Sequence, residues 1–264
     1  MGAKSGSPDG KKRIQSVQTT LEIFEALRTM GGAGVTEIAR TVGVTKGTVH
    51  NHLATLEADG YVVQTEDESY HLGLRFLDIA HHAKMRVPVL ELARTEVTKL
   101  AEKSGEMALF TVEEHGMGVC LYVAYGEQAV QTPLYVGHRS QLHHTAVGKA
   151  ILAHLPEERV AEIIDRHGLT QVTENTITTE SALLDQLEET RKRGIAFNEE
   201  ETIQGLVGVG APIRDQDGSV LGALSIIGPS RRLDEERFQR ELPDMIMRSV
   251  NIIEINLTSL QTEP

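Results

Sequence analysis

Six polar residues that can form hydrogen bonds cluster within one short stretch of the chain. They are Thr45, Lys46, Thr48, His50, Asn51 and His52. An asparagine side chain can pair with adenine through two hydrogen bonds. A threonine can contact a base or the thymine methyl group, and a lysine can reach guanine or a phosphate. The chemistry that these residue types predict is hydrogen bonding to the base edges of DNA in the major groove.

The residues around this cluster predict two helices joined by a tight turn. Ala39 is small where the two helices would cross, and Gly43 lies where the turn needs a left-handed backbone. Val49 and Leu53 would anchor the second helix from beneath and leave the polar side chains exposed. Thr36 is predicted to cap the first of the two helices. Thr36 and the nearby Arg40 complete the predicted set of DNA contacts.

The flanking segments extend this pair of helices to a winged helix-turn-helix. Apolar spacings of three and four predict a helix over residues 14–30, and Thr45 is predicted to cap the helix that runs to residue 59. Residues 61–64 and 70–72 then predict a β-hairpin whose turn, 66–69, is acidic and therefore a poor phosphate contact. The alternative is a helical hairpin that packs against another element. Three helices with this turn chemistry and a following hairpin favour DNA binding.

The remainder of the chain alternates between strand and helix patterns, which predicts an α+β fold with helices packed on an antiparallel sheet. A helix over residues 74–84 links the two parts, and a helix over 233–260 ends the chain. The other predicted helices are 88–103, 145–153, 156–167 and 181–193. The predicted strands are 107–112, 118–125, 129–136, 195–198, 206–214 and 220–227.

Motifs in both parts of the chain resemble those of the IclR family of transcriptional regulators. The N-terminal match runs through residues 16–63 and continues with Leu-Gly-Leu at 72–74. The C-terminal match includes Leu-His-His-Thr-Ala-Val-Gly-Lys-Ala-Ile-Leu-Ala at 142–153 and Arg-Gly-Ile-Ala-Phe-Asn-Glu-Glu-Glu at 193–201. It closes with Ala-Leu-Ser-Ile-Ile-Gly-Pro at 223–229. The order and spacing of two domain signatures make the resemblance specific.

The resemblance implies a winged helix-turn-helix, a linker helix and a GAF-like effector domain. We assign residues 1–13 to a flexible tail, 14–74 to the DNA-binding domain, 75–87 to the linker helix and 88–264 to the effector domain. Family members are typically dimers or dimers of dimers that repress or activate transcription. Their effectors are small organic acids, aromatic acids or sugar-derived metabolites.

The resemblance also implies an effector pocket between the start of the helix at residue 145 and the last strands. The residues expected there are His144, Ala146, Val147, Asn198, Leu206, Gly208, Ser225 and Ile227. The backbone amides of Ala146 and Val147 are predicted to hold a carboxylate. Asn198 stands where the family often has Asp, and Ile227 replaces one of two frequent serines. These losses of polar groups predict an effector that is larger or less polar than a two- or three-carbon acid.

Other motifs that could carry chemistry give no enzyme and no cofactor or metal site. Gly148-Lys149 resembles the end of a phosphate-binding loop, but His143 stands where that loop requires glycine. Adjacent histidines on a helix point about 100° apart, so neither His-His pair chelates a metal alone. The single cysteine, Cys120, is predicted to be buried and inert. Residues 199–201 are predicted to be a solvated acidic run in which Glu201 bonds a backbone amide.

The charge and composition are compatible with a cytoplasmic regulator, although the acidity argues against broad DNA contact. The formal net charge is −12. Residues 1–82 carry 8 Lys and Arg against 10 Asp and Glu, whereas the remainder carries 18 against 28. A single cysteine fits a reducing cytoplasm, and no apolar stretch is long enough to span a membrane.

The sequence therefore predicts a regulator whose binding to operator DNA is modulated by a small metabolite. The alternative is a DNA-associated architectural protein whose effector domain is degenerate and senses nothing.

Overall fold

The computed structural model describes residues 13–261, and the chain divides into two compact units between Arg86 and Val87. Most of the predicted tail, residues 1–12, lies outside the described residues. Within the described range, no helix has the length and apolar character needed to cross a membrane.

The first unit contains three helices, a two-stranded hairpin and a fourth helix. Their bounds are α1 Gln15–Met30, α2 Val35–Val42, α3 Lys46–Ala58, β1 Val62–Gln64, β2 Tyr70–Leu72 and α4 Arg75–Lys84. The two strands pair antiparallel. Five fully buried side chains hold α1, α2 and α3 together: Ile23, Leu27, Ile38, Val49 and Leu53. The predicted helix-turn-helix with a following hairpin is confirmed.

The turn between α2 and α3 has the predicted backbone, but the start of α2 differs from the prediction. Gly43 ends α2 in the left-handed region at φ 77°. Thr36 does not cap α2, because the helix begins at Val35 and the extended Gly34 occupies the cap position. The Glu37 carboxylate accepts a hydrogen bond of 3.2 Å from the Gly34 N–H. Glu37 thus satisfies the N–H of the cap residue, as the glutamate of a capping box does, and Thr36 lies exposed in the first turn.

The second unit is a six-stranded antiparallel sheet with helices on both faces, so the predicted α+β architecture is confirmed. The strand order is β5-β4-β3-β8-β7-β6. The strands are β3 Met107–Glu114, β4 Met117–Tyr125, β5 Arg139–Gln141, β6 Ala196–Glu199, β7 Leu206–Arg214 and β8 Val220–Pro229. The helices are α5 Leu90–Ser104, α6 Ala146–Leu152, α7 Glu157–His167, α8 Glu180–Arg193 and α9 Leu242–Gln261.

Each face of this sheet has its own apolar core. Helices α5 and α9 cover one face, where Val97, Leu100 and Ile246 pack with Phe110 and Val209. Helices α6, α7 and α8 belong to the core of the other face, with Leu109 and Ala223 of the sheet. The alternating direction of side chains along β3 explains how Leu109 and Phe110 enter different cores.

The predicted strand over residues 129–136 is wrong. The strand that pairs with β4 at this edge of the sheet is instead the short β5, whose Gln141 lies opposite Met117 of β4. The chain leaves the sheet after Tyr125, and Pro133 has no N–H to donate to a ladder. The chain rejoins β4 through a hydrogen bond of 2.7 Å from the Gly137 N–H to the Cys120 carbonyl.

The long terminal helix that the sequence predicts over 233–260 is present from residue 235, but it contains a turn that the sequence does not predict. Arg237–Glu241 forms a π-helical turn, and α9 follows it. The Leu242 N–H bonds the Arg237 carbonyl five residues back. Pro243 has no N–H to offer the ordinary ladder, and a wider turn before it accommodates that loss.

Candidate functional site

The outer side of α3 presents polar side chains to solvent. Lys46, His50 and Asn51 are exposed, and Val49 and Leu53 are fully buried beneath them. Among the hydrogen bonds of the described residues, none involves these three exposed side chains. Their donors and acceptors are therefore available to an external partner.

The start of α3 is fixed by its own cap. The Thr45 hydroxyl accepts a hydrogen bond of 3.1 Å from the Thr48 N–H, as the sequence predicts. The Thr45 and Thr48 hydroxyl oxygens are also 2.9 Å apart. The exposed Thr36 and Arg40 belong to α2. The geometry therefore supplies a rigid N-terminal turn of the kind that enters a major groove.

His52 differs from the other predicted DNA contacts because it is tied within its own domain. Its Nδ1 lies 2.9 Å from the Thr20 hydroxyl of α1, and the ring is only partly exposed. This hydrogen bond fixes α3 against α1. In the sequence, His52 has the spacing of a partly exposed helical residue. Nothing in that spacing predicts the bond to Thr20.

The hairpin turn that follows is negatively charged and internally bonded. One oxygen of Asp67 accepts hydrogen bonds of 2.6 Å from the Thr65 hydroxyl and 2.8 Å from the Ser69 hydroxyl. These bonds lower the pKa of Asp67 to about 2. Glu66 and Glu68 are exposed beside it. The turn therefore repels phosphates, as its composition predicts.

The second unit encloses a cavity of about 210 Å³ between α6 and the sheet. Seven of the eight residues predicted for the pocket line it: Ala146, Val147, Asn198, Leu206, Gly208, Ser225 and Ile227. The sequence did not predict the other lining residues for the pocket, although it singled out Cys120 as a buried thiol. They are Met107, Leu109, Thr111, Cys120, Thr132, Pro133, Leu134, His138, Ser140, Thr145, Thr202, Ile203 and Val207. The alternation of side chains along β3 and β4 shows which of these residues share a face of the sheet. It does not show which face borders a cavity.

His144 is the predicted pocket residue that does not line the cavity. Its ring Nδ1 lies 3.2 Å from the Thr202 hydroxyl, and its carbonyl accepts a hydrogen bond of 2.7 Å from the Asn198 amide. Burial is the main cause that lowers the pKa of His144 to about 4, so the ring is neutral at pH 7. His144 therefore supports the cavity wall from behind.

Two predicted polar pocket residues are largely occupied by bonds within the protein. The Asn198 amide nitrogen donates to the His144 carbonyl and to the Thr202 hydroxyl, and its oxygen accepts from the Glu201 N–H at 3.1 Å. The Ser225 hydroxyl donates to the Val209 carbonyl at 2.7 Å. Both side chains therefore hold the walls of the cavity in place.

The Gly148-Lys149 pair has a structural explanation that the sequence did not reveal. A Cβ at Gly148 would lie 2.1 Å from the Leu142 carbonyl oxygen, so only glycine fits there. The Lys149 ammonium is fully buried and donates to the Gln186 side chain at 2.6 Å and to the Glu201 carboxylate. Burial lowers the pKa of Lys149, and the nearby Glu201 opposes that shift.

The prediction of a solvated acidic run at residues 199–201 is wrong for Glu201, which is buried. Its predicted bond to a backbone amide is present, from the Glu199 N–H at 3.3 Å. Because Lys149 belongs to α6 and Glu201 precedes β7, this ion pair joins the two walls of the cavity.

Comparison with known proteins matches both units to one family. Residues 81–253 match the model of the bacterial transcriptional regulator IclR C-terminal domain, and residues 16–66 match the IclR helix-turn-helix domain. The chain belongs to the IclR family. Regulators of this family bind DNA through the helix-turn-helix and respond to small-molecule effectors, and this chain carries both domains.

Full-length similarity supports membership of the IclR family. The probable HTH-type transcriptional regulator ArcR of Halobacterium salinarum is 35% identical, over 97% of each chain. The HTH-type transcriptional regulator KdgR of Escherichia coli is 31% identical over 88% of this chain and 89% of that protein. The crystal structure of Thermotoga maritima IclR superposes with a TM-score of 0.77 at 28% identity, covering 92% of this chain and 98% of that one. The two sequence relatives are named as transcriptional regulators.

Proposed function

We propose that α3 reads an operator in the major groove and that occupation of the cavity by a metabolite changes this binding. The observation that carries the proposal is that three side chains of α3, Lys46, His50 and Asn51, are exposed above a fully buried anchor and have no hydrogen bond within the described residues. The side chains that we assign to DNA are Thr36, Arg40, Thr45, Lys46, Thr48, His50, Asn51 and His52. Exposed Lys46 and Asn51 are the best placed to contact bases, whereas Arg40 suits a phosphate.

Asn51 provides the sharpest test of the DNA contact. We expect Asn51→Ala to relax discrimination at one base step by about 1–3 kcal/mol, because the amide can pair with adenine through two hydrogen bonds. A site selected from random duplexes by the wild-type protein would be varied base by base in competition assays. Asn256→Ala makes the same change on an exposed position of α9 and should alter nothing. Unchanged discrimination in Asn51→Ala would contradict the base-reading role.

The cavity supports a sensing role for the second unit. Its walls include apolar side chains, and its enclosure between α6 and the sheet suits a small ligand. We assign effector contact to Ala146, Val147, Leu206, Gly208 and Ile227, with Asn198, Ser225 and His144 as supporting residues. The effector would be an organic acid, an aromatic compound or a sugar-derived metabolite.

A thermal-shift screen separates a sensor from an architectural protein with a degenerate effector domain. A ligand that binds the folded state must raise the melting temperature. We expect hits from a metabolite collection to raise it and also to change the affinity for the selected DNA site. A collection that shifts neither quantity would favour the architectural alternative.

We further propose that the regulator works in the cytoplasm as a homodimer or dimer of dimers, and that it is not an enzyme. Exposed apolar side chains on and beside α4 support self-association, since Leu74, Leu77 and Met85 are each at least two-thirds exposed. Among the residues that the structure describes, no group of three metal-ligating side chains is found. Sedimentation analysis of the full chain measures the assembly directly.

A further inference from the structure

One side of the cavity carries polar groups that the protein leaves unused. Strand β3 places Thr111 opposite Cys120 of β4, and the Cys120 N–H bonds the His138 carbonyl at 3.0 Å. Strand β5 pairs Ser140 with Gly118 of the same β4. Thr111 of β3 lies on one side of β4, and His138 and Ser140, at the start of β5, lie on the other side. These three residues, hereafter the polar row, all line the cavity.

The side chains of Thr111 and Ser140 both lie against Gly118 of β4. A Cβ built at Gly118 would lie 3.2 Å from Cγ2 of Thr111 and 3.4 Å from the Ser140 hydroxyl. Both side chains thus lie over the same glycine, on the same face of the sheet. A larger residue at position 118 would press against both of them.

The polar row contrasts with the rest of the polar lining. The side chains of Asn198, Thr202 and Ser225 form hydrogen bonds within the protein. Within the described part of the chain, the side chains of Thr111, His138 and Ser140 have no hydrogen-bond partner. Thr111 is nevertheless only 3% exposed. Because Thr111 lines the cavity, a ligand group placed there can bond its unpaired hydroxyl.

The charge of the cavity limits what this ligand group can be. None of the described residues that line the cavity is Lys, Arg, Asp or Glu. Burial lowers the pKa of His138, which keeps its ring neutral at pH 7. A charged group placed here would lose hydration without gaining a counter-ion. A hydroxyl group fits, because hydroxyls and a neutral imidazole can each donate and accept a hydrogen bond.

The other walls of the cavity indicate that the rest of the ligand is apolar. Met107, Leu109, Leu206 and Ile227 give the cavity apolar surfaces, and the Met107 thioether suits contact with the edge of an aromatic ring. We propose that the polar row binds the uncharged hydroxyl group of an apolar effector, for which a single-ring phenol is the simplest model. This inference rests on the proposed function only in taking the occupant of the cavity to be the effector.

Two probes that differ by one hydroxyl group test the polar row: 4-methylphenol and toluene. Their binding to the full chain would be measured by titration calorimetry at pH 7 without DNA. We expect 4-methylphenol to bind at least about tenfold more tightly than toluene. Thr111→Val keeps the shape of the side chain and removes its hydroxyl, so most of this preference should disappear while toluene affinity stays unchanged. Ser140→Ala should reduce the preference in the same direction.

Thr132→Val is the matched control, because Thr132 lines the cavity but its hydroxyl already accepts a hydrogen bond from the Leu134 N–H. The preference for 4-methylphenol should survive in this variant. Equal affinities for the two probes, no binding of 4-methylphenol, or a full preference in both Thr111→Val and Ser140→Ala would overturn the inference. In each of those cases, a metabolite that shifts both melting temperature and DNA affinity would still support the proposed regulator.

Discussion

The two units of this regulator place polar groups in opposite situations. Residues 1–86 carry ten basic and ten acidic side chains, whereas residues 87–264 carry sixteen against twenty-eight. The face of α3 that we propose for DNA leaves Lys46, His50 and Asn51 exposed, so water satisfies their polar groups until a partner replaces it. Around the cavity of the second unit, Asn198, Thr202 and Ser225 instead bond partners inside the protein. Substitutions of Lys46, His50 or Asn51 should therefore change recognition alone, whereas substitutions around the cavity should change stability as well.

The buried ion pair gives the largest expected effect and the strongest test of this contrast. Lys149→Met leaves the Glu201 carboxylate buried without its cation, which should lower the free energy of unfolding by about 3–5 kcal/mol. Urea unfolding followed by circular dichroism measures the change.

The double variant Lys149→Met/Glu201→Gln is the control, because it removes both charges together. We expect it to recover part of the lost stability, whereas Lys46→Met on the exposed start of α3 should cost almost none. A Lys149→Met protein as stable as the wild type would break the contrast between the units.

A pH effect of about 3 kcal/mol is expected from His144. Its pKa is about 4 in the folded protein and near 6.5 in the unfolded chain. The unfolded chain therefore takes up a proton first as the pH falls. The stability that depends on the neutral ring is present above pH 6.5 and is lost progressively down to about pH 4, at about 1.4 kcal/mol for each unit of pKa difference.

Unfolding titrations at several pH values from 7.5 to 4.5 would show this loss as a slope. Burial also lowers the pKa values of His138, His143 and His154, so the slope of the wild-type protein has several contributors. His144→Gln should therefore flatten the slope without abolishing it. An identical slope in wild type and variant would show that His144 is not held neutral by burial.

Two glycines on one strand provide a matched pair with a smaller effect. A Cβ at Gly210 would lie 2.8 Å from the backbone carbon of Ala146, so Gly210→Ala must push α6 away from β7. We expect a loss of about 1–3 kcal/mol in the free energy of unfolding. At Gly208 the nearest atom to a new Cβ is 3.4 Å away, and that atom is the Cγ1 end of the Ile227 side chain.

Gly208→Ala should therefore leave stability nearly unchanged while it reduces the volume available to a ligand. The comparison requires both variants in the same unfolding and ligand-binding assays. Equal losses of stability in the two variants would mean that the contact between α6 and β7 does not determine the cost.

Local patterns predicted the helix-turn-helix well because its determinants are close in sequence. The spacing of Val49 and Leu53 defines the buried side of α3, and Gly43 and Thr45 define the turn and the cap. The capping residue of α2 was wrong because an extended glycine and a glutamate three residues later can replace a threonine. Whether Gly34 or Thr36 caps the helix depends on the backbone geometry, which the residue types alone do not determine.

The cavity was harder to predict because distant segments build it. The resemblance to the family placed Ala146 and Ile227 correctly at its wall, but gave no indication of Thr111 or of the ion pair between Lys149 and Glu201. The alternation of side chains along a strand shows that the sheet has two faces. It does not show which face borders a cavity. The segment that contains Pro133 lines the cavity after leaving the sheet, and no periodicity encodes that path.

The smallest effect is expected at the acidic turn of the hairpin, where a charge can be changed without disturbing internal bonds. Glu66 is exposed, whereas Asp67 holds the turn through Thr65 and Ser69. Glu66→Gln should raise the affinity for unselected duplex DNA by less than about threefold at low salt, with little change above about 0.5 M salt, because an exposed charge acts on phosphates only within the Debye length. Fluorescence anisotropy at two salt concentrations measures this change. Asp67→Asn should instead loosen the turn, since a neutral amide accepts the two hydroxyl bonds less strongly. If Glu66→Gln had the same effect at low and high salt, the turn would act through its shape, and the first unit would depend on internal bonding as the second does.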